Sequence, residues 1–65
     1  MIKVNGDPYE IAEAMTVTDL LARLAIDPRR VAVERNLVIV KRDAFVHTTI
    51  AEGDEIEIVN FVGGG

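Results

Sequence analysis

Thr16-Val17-Thr18-Asp19-Leu20-Leu21-Ala22-Arg23-Leu24-Ala25 contains both a helix start and a helix stripe. Thr16 is placed to accept a hydrogen bond from a free backbone N–H of the first turn, with Asp19 reaching back as its capping-box partner. Val17, Leu20, Leu21 and Leu24 follow at i, i+3, i+4 and i+7, one apolar stripe. Asp27-Pro28 stops the run, because the residue before a proline is pushed out of helical geometry. The predicted helix covers 17–25. A single striped helix needs an apolar surface to lie on, and the flanking sequence supplies strands.

Upstream, Ile2 and Val4 alternate with Lys3 and Asn5, the period of a half-buried strand. Asn5-Gly6 suits the two positive φ angles of a tight hairpin turn, and Asp7-Pro8 reinforces the break. The return strand is expected over 9–13, with Ile11 facing the side of Ile2 and Val4. Downstream, Val31 and Val33 alternate with Ala32 and Glu34, Arg35-Asn36 marks a bend, and Leu37 to Val40 reads as a short apolar strand. Residues 44–50 are ambiguous, a short turn or an irregular strand. Glu52-Gly53-Asp54 reads as a turn before a last strand over 55–61. One helix across one face of a mixed sheet is the economical way to bury these stripes, an α+β arrangement of the β-grasp type.

Size and composition narrow the function. A chain of 65 residues, 49% of them hydrophobic, supports one compact core and leaves no room for a conventional cleft. Seven basic residues against eleven acidic ones give a net charge of −4, which argues against nucleic acid, since that binding needs clustered Lys and Arg. Such a surface fits a partner with a basic docking face. The absence of cysteine removes thiolate chemistry and Cys-based metal sites. The first six residues already reach a turn, so neither a signal peptide nor a membrane span is expected, and the expected location is cytoplasmic.

The last stretch is the most informative: Glu55-Ile56-Glu57-Ile58-Val59-Asn60-Phe61-Val62-Gly63-Gly64-Gly65. Ile56 and Ile58 take the core parity, and then Val59 and Phe61 place apolar groups on the parity that had faced solvent. Two readings stand for that pair: a docking patch, or a Phe61 side chain folded onto the sheet edge. Three glycines make the narrowest tail a polypeptide offers, and extended they carry a carboxylate roughly 10 Å beyond the folded body. That suits threading through a channel into another protein's active site; the plain alternative is a frayed end. The expected division is a folded domain over 1–62 and a flexible tail over 63–65.

Over essentially its whole length the chain resembles the sulfur carrier proteins of thiamine biosynthesis, the ubiquitin-like ThiS family. The resemblance rests on Ile2-Lys3-Val4-Asn5-Gly6, on Thr16-Val17-Thr18-Asp19-Leu20-Leu21, on Val31-Ala32-Val33-Glu34-Arg35-Asn36, and above all on the fourteen residues from Glu52 to Gly65. One departure is Ala14-Met15 before the helix, where family members often have a glycine.

The resemblance implies a carrier rather than an enzyme, with no bound cofactor and no catalytic side chain. An E1-like adenylating enzyme would use ATP and Mg to activate the Gly65 carboxylate. A sulfur donor, such as a cysteine desulfurase, would convert it to a thiocarboxylate, and thiazole synthase would accept the sulfur. Gly64 and Gly65 would be the threaded tail and Gly63 a spacer, with Val59, Phe61 and Val62 as partner contacts. Related alternatives are the small subunit of molybdopterin synthase, which typically ends in two glycines, a protein-modifying tag joined through Gly65, and a plain interaction module.

Other side chains carry blander readings. His47, the sole histidine, has no Cys or carboxylate companion and is assigned to the surface. Glu34, Glu52, Asp54, Glu55 and Glu57 are expected to be solvated, on faces separated by strand alternation, with Arg35 and Arg42 as possible ion-pair partners. Tyr9 is assigned to packing on the opening hairpin.

Overall fold

The computed structural model describes residues 1–61. Strand β1 (Ile2–Val4) turns through Asn5-Gly6 directly into β2 (Asp7–Tyr9). Both turn residues have positive φ, 51° and 86°, the two-residue turn whose twist matches the strands it joins. Val4 therefore pairs with Asp7 and Lys3 with Pro8. This corrects the return strand expected over 9–13: a turn this tight leaves no loop, so the partner strand begins at Asp7 and ends at Tyr9. Pro8 is tolerated there because β2 is the edge of the sheet. Ile11, outside any strand, still packs against the core.

Helix α1 (Val17–Arg23) begins on the expected cap. Thr16 Oγ1 accepts from the Asp19 amide at 3.1 Å, and Asp19 Oδ2 accepts from the Thr16 amide at 3.1 Å. The helix ends two residues earlier than expected. Ala25 takes a left-handed conformation (φ 58°). The Ile26 amide then donates to the Leu21 carbonyl at 2.9 Å and the Ala25 amide to Ala22 at 3.1 Å. This is a Schellman closure built without the usual glycine, and it folds Ile26 back against the core.

The remaining strands complete two sheets. Strands β4 (Val31–Arg35) and β5 (Val38–Val40) form a second hairpin, and β7 (Glu55–Asn60) closes the main sheet in the order β2-β1-β7-β4-β5. The turn of that hairpin is Asn36-Leu37, with φ 53° and 70°, so Leu37 belongs to the turn rather than to the strand that follows. β1 and β7 run parallel, and the long excursion between them carries the helix. The ambiguous stretch resolves into a 3₁₀ turn (Arg42–Ala44), a buried Phe45, and β6 (Thr49–Ile50), which pairs with β3 (Met15–Thr16) as a separate two-stranded sheet.

The helix contributes Val17, Leu20 and Leu21 to a core that also holds Ile2, Met15, Val31, Val33, Phe45, Ile50 and Ile56. One helix on one face of a mixed sheet is thus observed, as the stripes require. No helix among the described residues is long and apolar enough to cross a membrane.

Ala25 supplies a test of this accounting. A non-glycine residue in left-handed geometry costs roughly 1–2 kcal/mol, partly offset in glycine by its greater unfolded-state freedom. Ala25→Gly should therefore stabilise the fold by about 0.5–1 kcal/mol in urea unfolding; a loss of stability would refute the strained closure.

Candidate functional site

β7 lies between β1 and β4, so its alternation sorts side chains between the helix-covered face and the open face of the sheet. Ile56 is buried and Ile58 half-buried on the covered side. The register with β4 sets Glu34 opposite Glu57, Val33 opposite Ile58, and Ala32 opposite Val59. Ile39 of β5 lies opposite Glu34, on the same open face. Past the strand, the Phe61 amide donates to the Arg30 carbonyl at 2.8 Å, which extends the ladder by one position.

Val59 is 59% exposed and Phe61 58% exposed. Both side chains are thus more exposed than buried, and Phe61 is not part of the packed core. On the same face, Ile39 of β5 is also exposed. Val62, Gly63, Gly64 and Gly65 lie outside the described residues.

The start of β7 is fixed by Asp54, and here the sequence reading needs correction. Asp54 is only 8% exposed, not solvated. Its Oδ2 accepts from Arg35 Nε at 2.8 Å and from the Ala51 amide at 2.9 Å, and its Oδ1 from Asn36 Nδ2 at 3.1 Å. Its carbonyl accepts from the Lys3 amide at 3.0 Å. Asn36 completes the knot, since its Oδ1 accepts from the Glu55 amide at 2.9 Å. Farther along β7, the Asn5 carboxamide accepts from the Ile58 amide at 2.7 Å and donates to the Ile58 carbonyl at 3.2 Å. Sequence reasoning saw Asn5 and Asn36 only as turn and bend residues; that each also bonds β7 depends on pairings remote in sequence.

Glu52, Glu55 and Glu57 are exposed as expected, but the expected separation of faces does not hold throughout. Glu34 and Glu57 are not separated by alternation but stand directly opposite each other on the open face, an arrangement that costs stability. Among the described residues neither forms an ion pair, and nor does Glu55. At the other end of the face, Asp27 holds Arg29 through Nε at 3.2 Å and Nη2 at 3.1 Å. These bonds, with the Arg29 amide, lower the Asp27 carboxyl to about 2. His47 is exposed, and no group of three or more His, Asp or Glu side chains gathers as a metal site among the described residues.

The fold has known counterparts. The ThiS family model matches residues 2–65. The chain belongs to the ThiS family. It is 38% identical over 66 residues to the sulfur carrier protein ThiS of Bacillus subtilis, with both chains covered fully. The crystal structure of the thiamine biosynthesis protein ThiS from Geobacter metallireducens superimposes with a TM-score of 0.86 at 40% identity, covering 98% of this chain and 97% of that one. A thiazole synthase of Paramagnetospirillum magneticum is 45% identical over 62 residues, 95% of this chain. The chain spans about one fifth of the length of the thiazole synthases it matches. The ubiquitin-like β-grasp fold is common to this family, and the sheet and helix described above conform to it.

Burial alone would raise the Asp54 carboxyl, but the Ala51 amide, the Asn36 amide group and the Arg35 guanidinium outweigh it, and the group titrates below its ordinary value. A carboxyl depressed in the folded state contributes stability that is complete above its unfolded pKa, about 3.9, and lost as pH falls through the folded value. Asp54→Asn should flatten the loss of stability below about pH 4 and cost about 1–3 kcal/mol at pH 7; an unchanged acid limb would rule Asp54 out as its source. Phe61→Ser should leave unfolding free energy within roughly 0.5 kcal/mol of the parent, as expected for an exposed side chain. A much larger loss would return Phe61 to a packing role.

Proposed function

We propose that this chain is a sulfur carrier of thiamine biosynthesis that works by presenting its terminal carboxylate to other proteins. The observation that carries the reading is the apolar pair Val59 and Phe61, held outward by β7, immediately before Val62-Gly63-Gly64-Gly65. Membership in the ThiS family supports it. The folded body, 1–62, docks through Val59, Phe61 and Val62. The glycine tail, 63–65, enters the partner.

The chemistry follows from what a carboxylate lacks. At neutral pH it is anionic and a poor acyl donor. An E1-like enzyme uses ATP and Mg to join the Gly65 carboxylate to AMP, releasing pyrophosphate. The terminal sulfur of a persulfide, supplied by a donor such as a cysteine desulfurase, displaces AMP from the acyl carbon. Cleavage of the S–S bond by a thiol then leaves a thiocarboxylate on Gly65. That soft nucleophile is offered to thiazole synthase. The likeness to a protein named thiazole synthase supports that acceptor, because a segment 45% identical to this chain there shares a polypeptide with the named activity. The carrier supplies recognition and reach, its partners the catalysis, in the cytoplasm.

The test is intact-mass spectrometry after incubation with the activating enzyme, ATP, Mg and a sulfur source. The expected result is a gain equal to one oxygen exchanged for sulfur, mapped to Gly65 and lost when Gly65 is deleted. No gain with an enzyme shown to be active on another carrier would refute the proposal. Gly64→Val should abolish the gain by blocking entry, whereas a side chain at Gly63 is better tolerated; unchanged adenylation of Gly64→Val would remove the threading step.

A further inference from the structure

The open face of the sheet is charged oppositely at its two ends. Near the start of β7, Glu55 and Glu57 are exposed, with Glu34 facing Glu57 across one ladder and Lys3 facing Glu55 across the other; three carboxylates there stand against one ammonium, and none of the three forms an ion pair among the described residues. The apolar pair Val59 and Phe61 follows. Beside Phe61 the charge reverses: the 3₁₀ turn Pro28–Arg30 packs its last carbonyl onto the Phe61 amide.

Of the two arginines in that turn, Arg29 is already engaged. Its side chain makes two hydrogen bonds to Asp27. Arg30 touches Asp27 only loosely, at 3.7 Å, and its side chain is 80% exposed. A largely exposed guanidinium, sharing Asp27 with Arg29, is therefore carried by the residue whose carbonyl binds the Phe61 amide, on a chain whose net charge is −4. Four residues follow Phe61, so the Gly65 carboxylate lies at most about 14 Å of extended chain away. With the tail extended into a channel, Arg30 would stand at the mouth rather than at the reactive end.

We propose that Arg30 is a docking contact that pairs with a carboxylate on the rim of the tail channel in the adenylating partner. The unpaired Glu34, Glu55 and Glu57 at the opposite end of the face set the reverse polarity there. A partner with acid at the channel mouth, an apolar centre, and base at the far end matches the face in one direction only. The tail then enters rather than lying across the opening. Electrostatic complementarity of this kind acts chiefly on encounter and register. The inference rests on the carrier reading, since it presumes a tail that is threaded.

The measurement is pyrophosphate release by the activating enzyme as a function of carrier concentration, with wild type, Arg30→Glu and Arg30→Lys at low and high salt. Arg30→Glu should raise the half-maximal carrier concentration about fivefold or more at low salt, with the maximal rate unchanged, and the gap should shrink at about 0.5 M salt. Arg30→Lys should recover most of the loss, because a point charge suffices at a rim. The melting temperature of Arg30→Glu should fall by only a few degrees, since the bond to Phe61 uses the Arg30 backbone carbonyl and an exposed pair such as that with Asp27 contributes little to stability. Equal half-maximal concentrations for Arg30→Glu and wild type would overturn the contact while leaving the carrier reading intact. Absence of pyrophosphate release with wild type would remove both.

Discussion

The carboxylate of Asp54 is the point on which three separate parts of the chain converge. Its side chain ties Arg35 and Asn36 of the β4–β5 hairpin to the backbone of Ala51, while its carbonyl holds the Lys3 amide of β1. A buried carboxylate is tolerated only when its lone pairs are filled, and here a guanidinium, an amide side chain and a backbone N–H fill them. Because the residue immediately precedes β7, the knot sets where that strand begins. A slip of one residue would exchange the faces of Ile56 and Val59. The outward placement of Val59 is thus a consequence of an interaction made at the start of its strand.

That separation of duties suits a carrier. The core side is closed by apolar contacts and satisfied polar groups, with no buried side-chain polar atom left without a partner among the described residues. The open side keeps features a purely structural sheet would avoid: exposed Val59 and Phe61, and two glutamates set opposite each other. These cost stability in isolation and become favourable only against a complementary surface.

Much of this was legible in the residues because it depends on local rules. The Thr16–Asp19 box fixed the helix start, the 3.6-residue stripe its buried face, and the period of β7 its inward isoleucines. The misreadings share one origin: the physical cause lay elsewhere in the chain or lacked its usual residue. The helix end was missed because Ala25 occupies a position normally marked by glycine. Arg35 was legible as a partner for these acids, but Asp54 looked like a solvated turn acid because Asn36, the residue that helps bury it, is 18 residues away. The return strand was set too late because Asp7-Pro8 resembles a break, although an edge position accommodates it. For the site, sequence supplied the outward parity of Val59 and Phe61 but not the arginine beside them. The Arg30 to Phe61 bond spans half the chain and has no local signature.

The placement of β7 in the middle of the sheet has a mechanical consequence. A pull along the chain beyond Phe61 is transmitted straight into a strand flanked by β1 on one side and β4 on the other. The load runs parallel to both neighbours, so the hydrogen bonds of two ladders, and the carboxamide of Asn5 clamped on Ile58, resist together in shear. An edge strand such as β5 would instead peel away one bond at a time. Under a load applied at Phe61 the body behind it therefore behaves as a rigid handle.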